Sequence, residues 1–133
     1  MTHEPLNPAG WKRASGYSNG VLAEGRTIWV AGQIGWTGAQ VFETDDFGGQ
    51  VRQALENVVA VLKEAGAEPE HLVRLTWFVT DKREYLEALA EIGAAYRETI
   101  GRHYPAMTLV QVAALVEDRA KVEIEATAVL PAE

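Results

Sequence analysis

Met107-Thr108-Leu109-Val110-Gln111-Val112-Ala113-Ala114-Leu115 reads as a β-strand that is apolar on both faces. Successive side chains of a strand point to opposite sides. Val110, Val112 and Ala114 therefore share one side, and Met107, Leu109, Ala113 and Leu115 share the other. Such a strand needs cover on both faces. The chain offers cover for only one.

Working outward, Lys121 to Val129 forms the last strand. Val122, Ile124, Ala126 and Ala128 fall on one side and suit packing on helices, whereas Lys121, Glu123, Glu125, Thr127 and Val129 fall on the other. Upstream, Phe47, Val51, Leu55, Val58 and Leu62 recur at helical spacing, with acidic Thr44-Asp45-Asp46 ahead and Gly66 as a stop. Leu72 to Val79 reads as a buried strand. A second helix carries Tyr85, Leu89, Ile92, Tyr96 and Ile100 on one face, opens on an Asp81/Glu84 capping-box spacing and stops at Gly101. Ser18 to Ala23 and Arg26 to Ala31 read as two strands joined by a tight Glu24-Gly25 hairpin, after an extended arm over residues 1–16. Gly32 to Gln40 reads as loop. The predicted order is β-β-α-β-α-β-β in one α+β domain, residues 1–133. Two helices cover one face of such a sheet, so a second copy of the chain is expected on the other.

Bulk properties narrow the function. The chain has 133 residues, 47% hydrophobic, with no cysteine and a net charge of −7. Disulfides, thiolate nucleophiles and sulfur-bound metals are excluded. The cysteine count is compatible with a reducing cytoplasm, which is the expected location. Met1 to Pro8 lacks the basic and apolar regions of a signal peptide. Apolar runs such as Val58 to Leu62 are far too short to span a membrane. The acidic surface and the lack of a basic stripe make nucleic acid a poor partner.

The second face of the last strand is where chemistry is expected. A carboxylate covered there by another subunit loses water, which favours its protonated form and suits it to general acid–base work unless a cation pairs with it. The structural alternative is a solvated or ion-paired edge, with Lys121 neutralising a neighbouring carboxylate.

Several segments in order carry a resemblance: Gly16-Tyr17 with Asn19-Gly20, Val30-Ala31-Gly32-Gln33-Ile34, Gln53-Ala54-Leu55-Glu56-Asn57, Phe78-Val79-Thr80-Asp81, Tyr104-Pro105-Ala106 with Val110-Gln111-Val112-Ala113, and Lys121-Val122-Glu123-Ile124-Glu125-Ala126. Together they resemble the RidA/YjgF family over nearly the whole chain. The resemblance implies a chorismate-mutase-like fold, a mixed sheet with two helices on one face, assembled as a homotrimer with small-molecule sites at subunit interfaces. It implies imine or enamine deamination without metal or organic cofactor. Tyr17 and Glu123 are the catalytic residues it implies, with Glu123 handling the attacking water. Ala31, Gly32, Met107 and Leu109 are the substrate-binding positions.

This chain departs from the family at that site. Met107 stands where the family places the arginine that clamps a substrate carboxylate, Ala31 where it places a serine, and Leu109 where it often has a cysteine. A family asparagine in the second helix falls at Leu89 or Ala90. All these changes replace polar groups by apolar ones. The expected substrate is therefore a neutral or aromatic molecule and not a free 2-imino acid. The alternatives are an inactive site filled by Met107, a non-catalytic trimer that binds or senses a small metabolite, and, ranked third, the ribonuclease or translation-inhibitor activity described for some family members.

Other signals carry less. Gly16-Tyr17-Ser18-Asn19-Gly20 fits G-x-S-x-G but lacks the strand–turn–helix setting of a nucleophile elbow. His3, His71 and His103 have no metal-ligand spacing; His103 is a candidate for a pocket wall. Asp45-Asp46 suits a helix N-terminus. Trp29 and Trp77 are expected in the core, and Trp11 and Trp36 at a pocket rim.

Overall fold

The computed structural model describes residues 3–132. Its main sheet has four strands: β3 (Arg26–Ile34), β4 (Leu72–Val79), β5 (Ala106–Gln111) and β6 (Val122–Leu130). Their order is β3-β6-β4-β5, with β4 and β5 parallel and the other neighbours antiparallel. The sheet is mixed because helices α2 (Lys82–Glu87) and α3 (Leu89–Thr99) carry the chain from β4 to β5, as a parallel pair requires. Helix α1 (Phe47–Glu64) packs against β3, β6 and α3. Among the described residues no helix is long and apolar enough to cross a membrane.

All helices lie on one face. Phe47, Val51, Leu55, Val58 and Leu62 of α1 are buried against Val122, Ile124, Ala126 and Ala128 of β6 and against Leu75, Trp77 and Val79 of β4. Each large aliphatic side chain so buried contributes about 1.5–3 kcal/mol. Asp46 caps α1, its carboxylate accepting from Gly49 N at 2.9 Å. Gly66 follows at φ +73°, a conformation that ends the helix at little cost for glycine. Gln50 is wholly buried in this core. Its amide donates to the carbonyls of Thr44 and Arg119 and accepts from Lys121 N, so no polar atom is stranded.

The opposite face is open. Trp29 is 79% exposed there, opposite Thr127 in the β3–β6 register. Phe78 stands between Val110 and Glu123 on the same side.

Several sequence expectations need correction. The Glu24-Gly25 hairpin does not form: β2 (Gly20–Leu22) pairs with β1 (Glu4–Leu6) in a separate two-stranded sheet, and β3 pairs with β6. Gly25 instead lies so close to Leu130 O that a Cβ would stand 1.9 Å from it. The segment from Gly32 continues as strand to Ile34, through a bulge that adds one residue between Val30 and Gln33. The strand from Met107 ends at Gln111 and not at Leu115, because β4, its neighbour in the sheet, ends at Val79. The second helix breaks at Ala88, where the backbone turns out of helical geometry (φ −112°, ψ 19°). Asp81 caps α2 by accepting from Arg83 N, but Glu84 completes no capping box and pairs with Lys121 at 3.1 Å. Trp29 is exposed and not core; Trp77 is core at 4% exposed.

Candidate functional site

The alternation of side chains splits the expected site in two. Trp77 faces Ile124 and Leu109 in register, and Phe78 faces Glu123 and Val110. Met107 and Leu109 therefore point to the helix face, and Glu123 points to the open face.

On the helix side, Tyr17, Met107, Leu109 and Leu89 line a cavity of about 530 Å³. Trp77, Tyr85 and Ile92 form its inner wall, and Gly93, Tyr96 and Arg97 close it along α3. The arm brings Tyr17 here. Ser18 N donates to Pro105 O at 3.0 Å and its hydroxyl donates to Tyr104 O at 2.6 Å, forming a parallel bridge to Ala106. Ser18 is thus a tether that ties the arm to the start of β5. Tyr104 stacks on Tyr96 at 5.5 Å between ring centroids. The Tyr96 hydroxyl donates to His103 O, and burial, followed by the neighbouring Tyr104, pushes its pKa well above the usual tyrosine value. The wall next to Tyr17 is therefore an aromatic stack whose Tyr96 hydroxyl stays protonated at neutral pH.

On the open side, Gly32 and Glu123 meet. A Cβ on Gly32 would stand 2.0 Å from Glu123 Oε2, so only glycine leaves room for the carboxylate in this position. The β3 bulge brings Gly32 to that carboxylate, and Gln33 Nε2 donates to the O of the preceding Ala31 at 3.1 Å, bracing the bulge. Among the described residues Glu123 has no ion pair and no side-chain hydrogen bond. Lys121 is committed to Glu84, so the ion-paired edge expected for this strand does not involve Glu123.

The structure thus joins Tyr17, Met107 and Leu109 on one face, and Gly32 and Glu123, with Ala31 beside them, on the other. Of the other aromatic and histidine candidates, Trp36 packs on Phe42 at 5.7 Å, Trp11 is exposed on the arm, and His103, whose Nε2 lies 2.7 Å from Leu72 O, lines a second cavity of about 690 Å³ with Tyr17 and Tyr104. Trp77, expected in the core, is core and also walls the cavity, while Arg97 at the cavity was not foreseen in the sequence. The four-residue spacing of Gly93 and Arg97 was the available signal, since it places them on one helix face.

Comparisons agree with this architecture. The family model described as Endoribonuclease L-PSP matches residues 9–130. A RutC family protein of Haemophilus influenzae is 35% identical over 105 residues, 79% of this chain and 80% of that one. The 2-iminobutanoate/2-iminopropanoate deaminase of Salmonella typhimurium is 35% identical over 108 residues, again 79% and 80% of the two chains. Among solved structures, the Rid family protein YyfB of Yersinia pestis has a TM-score of 0.86 at 32% identity, covering 98% of this chain and all of that one. The YjgF product of Escherichia coli has a TM-score of 0.66 at 35% identity over 85% and 87% of the two chains. On sequence and fold together, this chain belongs to the endoribonuclease L-PSP family, which is the RidA/YjgF family its motifs resemble.

Proposed function

We propose that this chain hydrolyses the C=N bond of a reactive imine, or of an enamine after tautomerisation, as a homotrimer in which each site takes the cavity of one copy and the Gly32–Glu123 corner of the next. The observation that carries it is the unpaired Glu123 carboxylate, held against a glycine on a sheet face that leaves Trp29 bare. A partner copy on that face would lay its own Tyr17 and Met107 against Glu123, which one copy cannot do alone. The relatives named as iminobutanoate/iminopropanoate deaminases support this chemistry.

The steps follow from the groups present. Water adds to the imine carbon while Glu123 takes its proton, giving a carbinolamine. The protonated nitrogen then leaves as ammonia as the C–N bond breaks and the carbonyl forms. A protonated imine is already electrophilic, so a positioned base suffices. Tyr17 donates a hydrogen bond to the developing oxygen or nitrogen. Met107 supplies no charge, so the substrate is not a free 2-imino acid anchored at that position.

The test is the rate of C=N loss under pseudo-first-order conditions, with imines that carry or lack a carboxylate. The natural protein is expected to accelerate the reaction, and Glu123→Ala to lose about 10²-fold or more. If the natural protein beats buffer on no imine, the deaminase reading fails. The apolar lining of the cavity would then favour the second reading, a trimer that only binds a small hydrophobic metabolite.

A further inference from the structure

Glu123 sits beside an interrupted stretch of the main sheet. Beyond the bulge in β3 two registered pairs remain before the strand ends, Gln33 with Ile124 and Ile34 with Glu123. A bulge breaks the ladder and bends its strand, so a stretch this short does not fix its own geometry. Helix α1 holds it from behind, through side-chain amides. Asn57 Nδ2 donates to Ile34 O at 3.2 Å and to Trp36 O at 2.7 Å. Gln53 Nε2 donates to Asn57 Oδ1 at 2.9 Å and so fixes how that amide is turned. Ile34 is the residue directly across from Glu123. About two turns earlier on the same helix face stands the wholly buried Gln50. Its Oε1 accepts from Lys121 N at 2.9 Å, just ahead of Glu123 on β6, and its Nε2 donates to Arg119 O at 3.0 Å. Gly35 completes the arrangement. A Cβ there would stand 2.5 Å from Gln50 Cβ, so glycine lets the chain leaving β3 lie against this side chain. Val51, Ala54, Leu55 and Val58, none of them exposed, root the helix that carries both amides in the core.

We propose that Asn57 and Gln50 are positioning residues for the Glu123 carboxylate. Asn57 pins the β3 side of the Gly32–Glu123 corner and Gln50 the β6 side, so one helix sets the spacing of the two strands where the carboxylate lies against glycine. Both amides stand behind the sheet and meet no substrate; they act through the backbone alone. The inference rests on the reading of Glu123 as the base, and it deepens it. Among the described residues Glu123 has no ion pair or side-chain hydrogen bond of its own, so its position is set by its backbone. Supporting contacts of this kind matter because a reacting group misplaced by ~1 Å costs about 10²-fold in rate.

Asn57→Asp in the full-length protein is the test. It keeps the shape of the side chain and the bond from Gln53 but offers no N–H to Ile34 O and Trp36 O. Two readouts are taken. The first is kcat and KM, with whichever imine the natural protein hydrolyses. The second needs no turnover: the NMR signals of the Gly32 amide and of the Glu123 side-chain carboxyl carbon. Asn57→Asp is expected to lower kcat roughly tenfold or more with KM unchanged, and to move both signals. Gln53→Met, which frees the Asn57 amide to turn, gives the same pattern with a smaller loss, and it decides the matter should Asn57→Asp not fold. Leu55→Ala is the control for stability alone. It empties a core site between the two amides, and is expected to lower Tm by more than either variant while kcat per folded molecule and both signals stay close to their natural values. Signals that stay in place in Asn57→Asp overturn the proposal whatever the rate, as does a loss confined to KM. So does a kcat that simply follows Tm across all three variants. If the natural protein hydrolyses no imine, the deaminase reading fails, and the two signals still decide whether α1 holds the corner.

Discussion

The two faces of one sheet make opposite use of the same alternation. On the helix face, residues Val122, Ile124, Ala126 and Ala128 of β6 disappear into a core with α1. On the open face, the residues between them are Glu123, Glu125 and Thr127, and the neighbouring strand presents an exposed tryptophan. The first face stabilises one copy of the chain. The second contributes little to that and leaves Trp29 and Glu125 exposed. The proposed catalytic carboxylate, Glu123, can sit near the start of a central strand only because the face it occupies is not the one that holds the domain together.

That contrast can be broken by substitution. Leu55→Ala removes a wholly buried side chain from the helix face and is expected to cost about 2–5 kcal/mol, measured by urea unfolding. Gly32→Ala acts on the open face. Its Cβ must displace the mobile end of Glu123, so imine hydrolysis is expected to fall roughly 10²-fold while the unfolding midpoint barely moves. Equal loss of stability and activity would mean that the corner is structural. Trp29→Ala removes a large exposed side chain. The stability of the single chain should change by less than about 0.5 kcal/mol, while light scattering shows the mass falling from trimer to monomer. An unchanged mass would place the partner elsewhere.

The smallest effect sharpens the comparison at the domain's rim. The Asp46 carboxylate is held below its usual pKa by its hydrogen bond with Glu91, and Glu91 is raised by the same bond. The signs oppose. The Asp46 contribution is present above its ordinary pKa and is lost as pH falls through the lowered one. The Glu91 contribution is present below its ordinary pKa and is lost as pH rises through the raised one. The pair therefore supports the α1 N-terminus best in acid, while it holds one proton. Glu91→Gln supplies a permanent donor to Asp46 and should flatten this dependence. Both groups are exposed, so the change in Tm near neutral pH is expected to stay within about 2 °C.

Local pattern carried much of this protein. Helix α1 and its Asp46 cap, strand β4, the stops at Gly66 and Gly101 and the two-faced β6 all follow from spacing and capping chemistry that act within a few residues. The pairing of the first strands was not legible, because Glu24-Gly25 has the composition of a hairpin turn whichever partner β3 takes, and β6 lies nearly a hundred residues away. The end of β5 was not legible either. Val112 to Leu115 are apolar enough for a strand, but a strand ends where its neighbour does.

For the site, the sequence by itself determined the residue types: a carboxylate at position 123, a tyrosine at 17, and apolar groups where the family carries polar ones. It also determined that Glu123 and Ile124 must face opposite ways, since that needs only the pleat. Tertiary structure decided which residues share a space. The β4–β5 register put Met107 and Leu109 beside Trp77, Ser18 tied Tyr17 to that cavity, and a bulge carried Gly32 to Glu123. Each of these is a contact between segments far apart in the chain, set by the sum of packing and hydrogen bonding over the whole domain, and no local signal encodes such a sum.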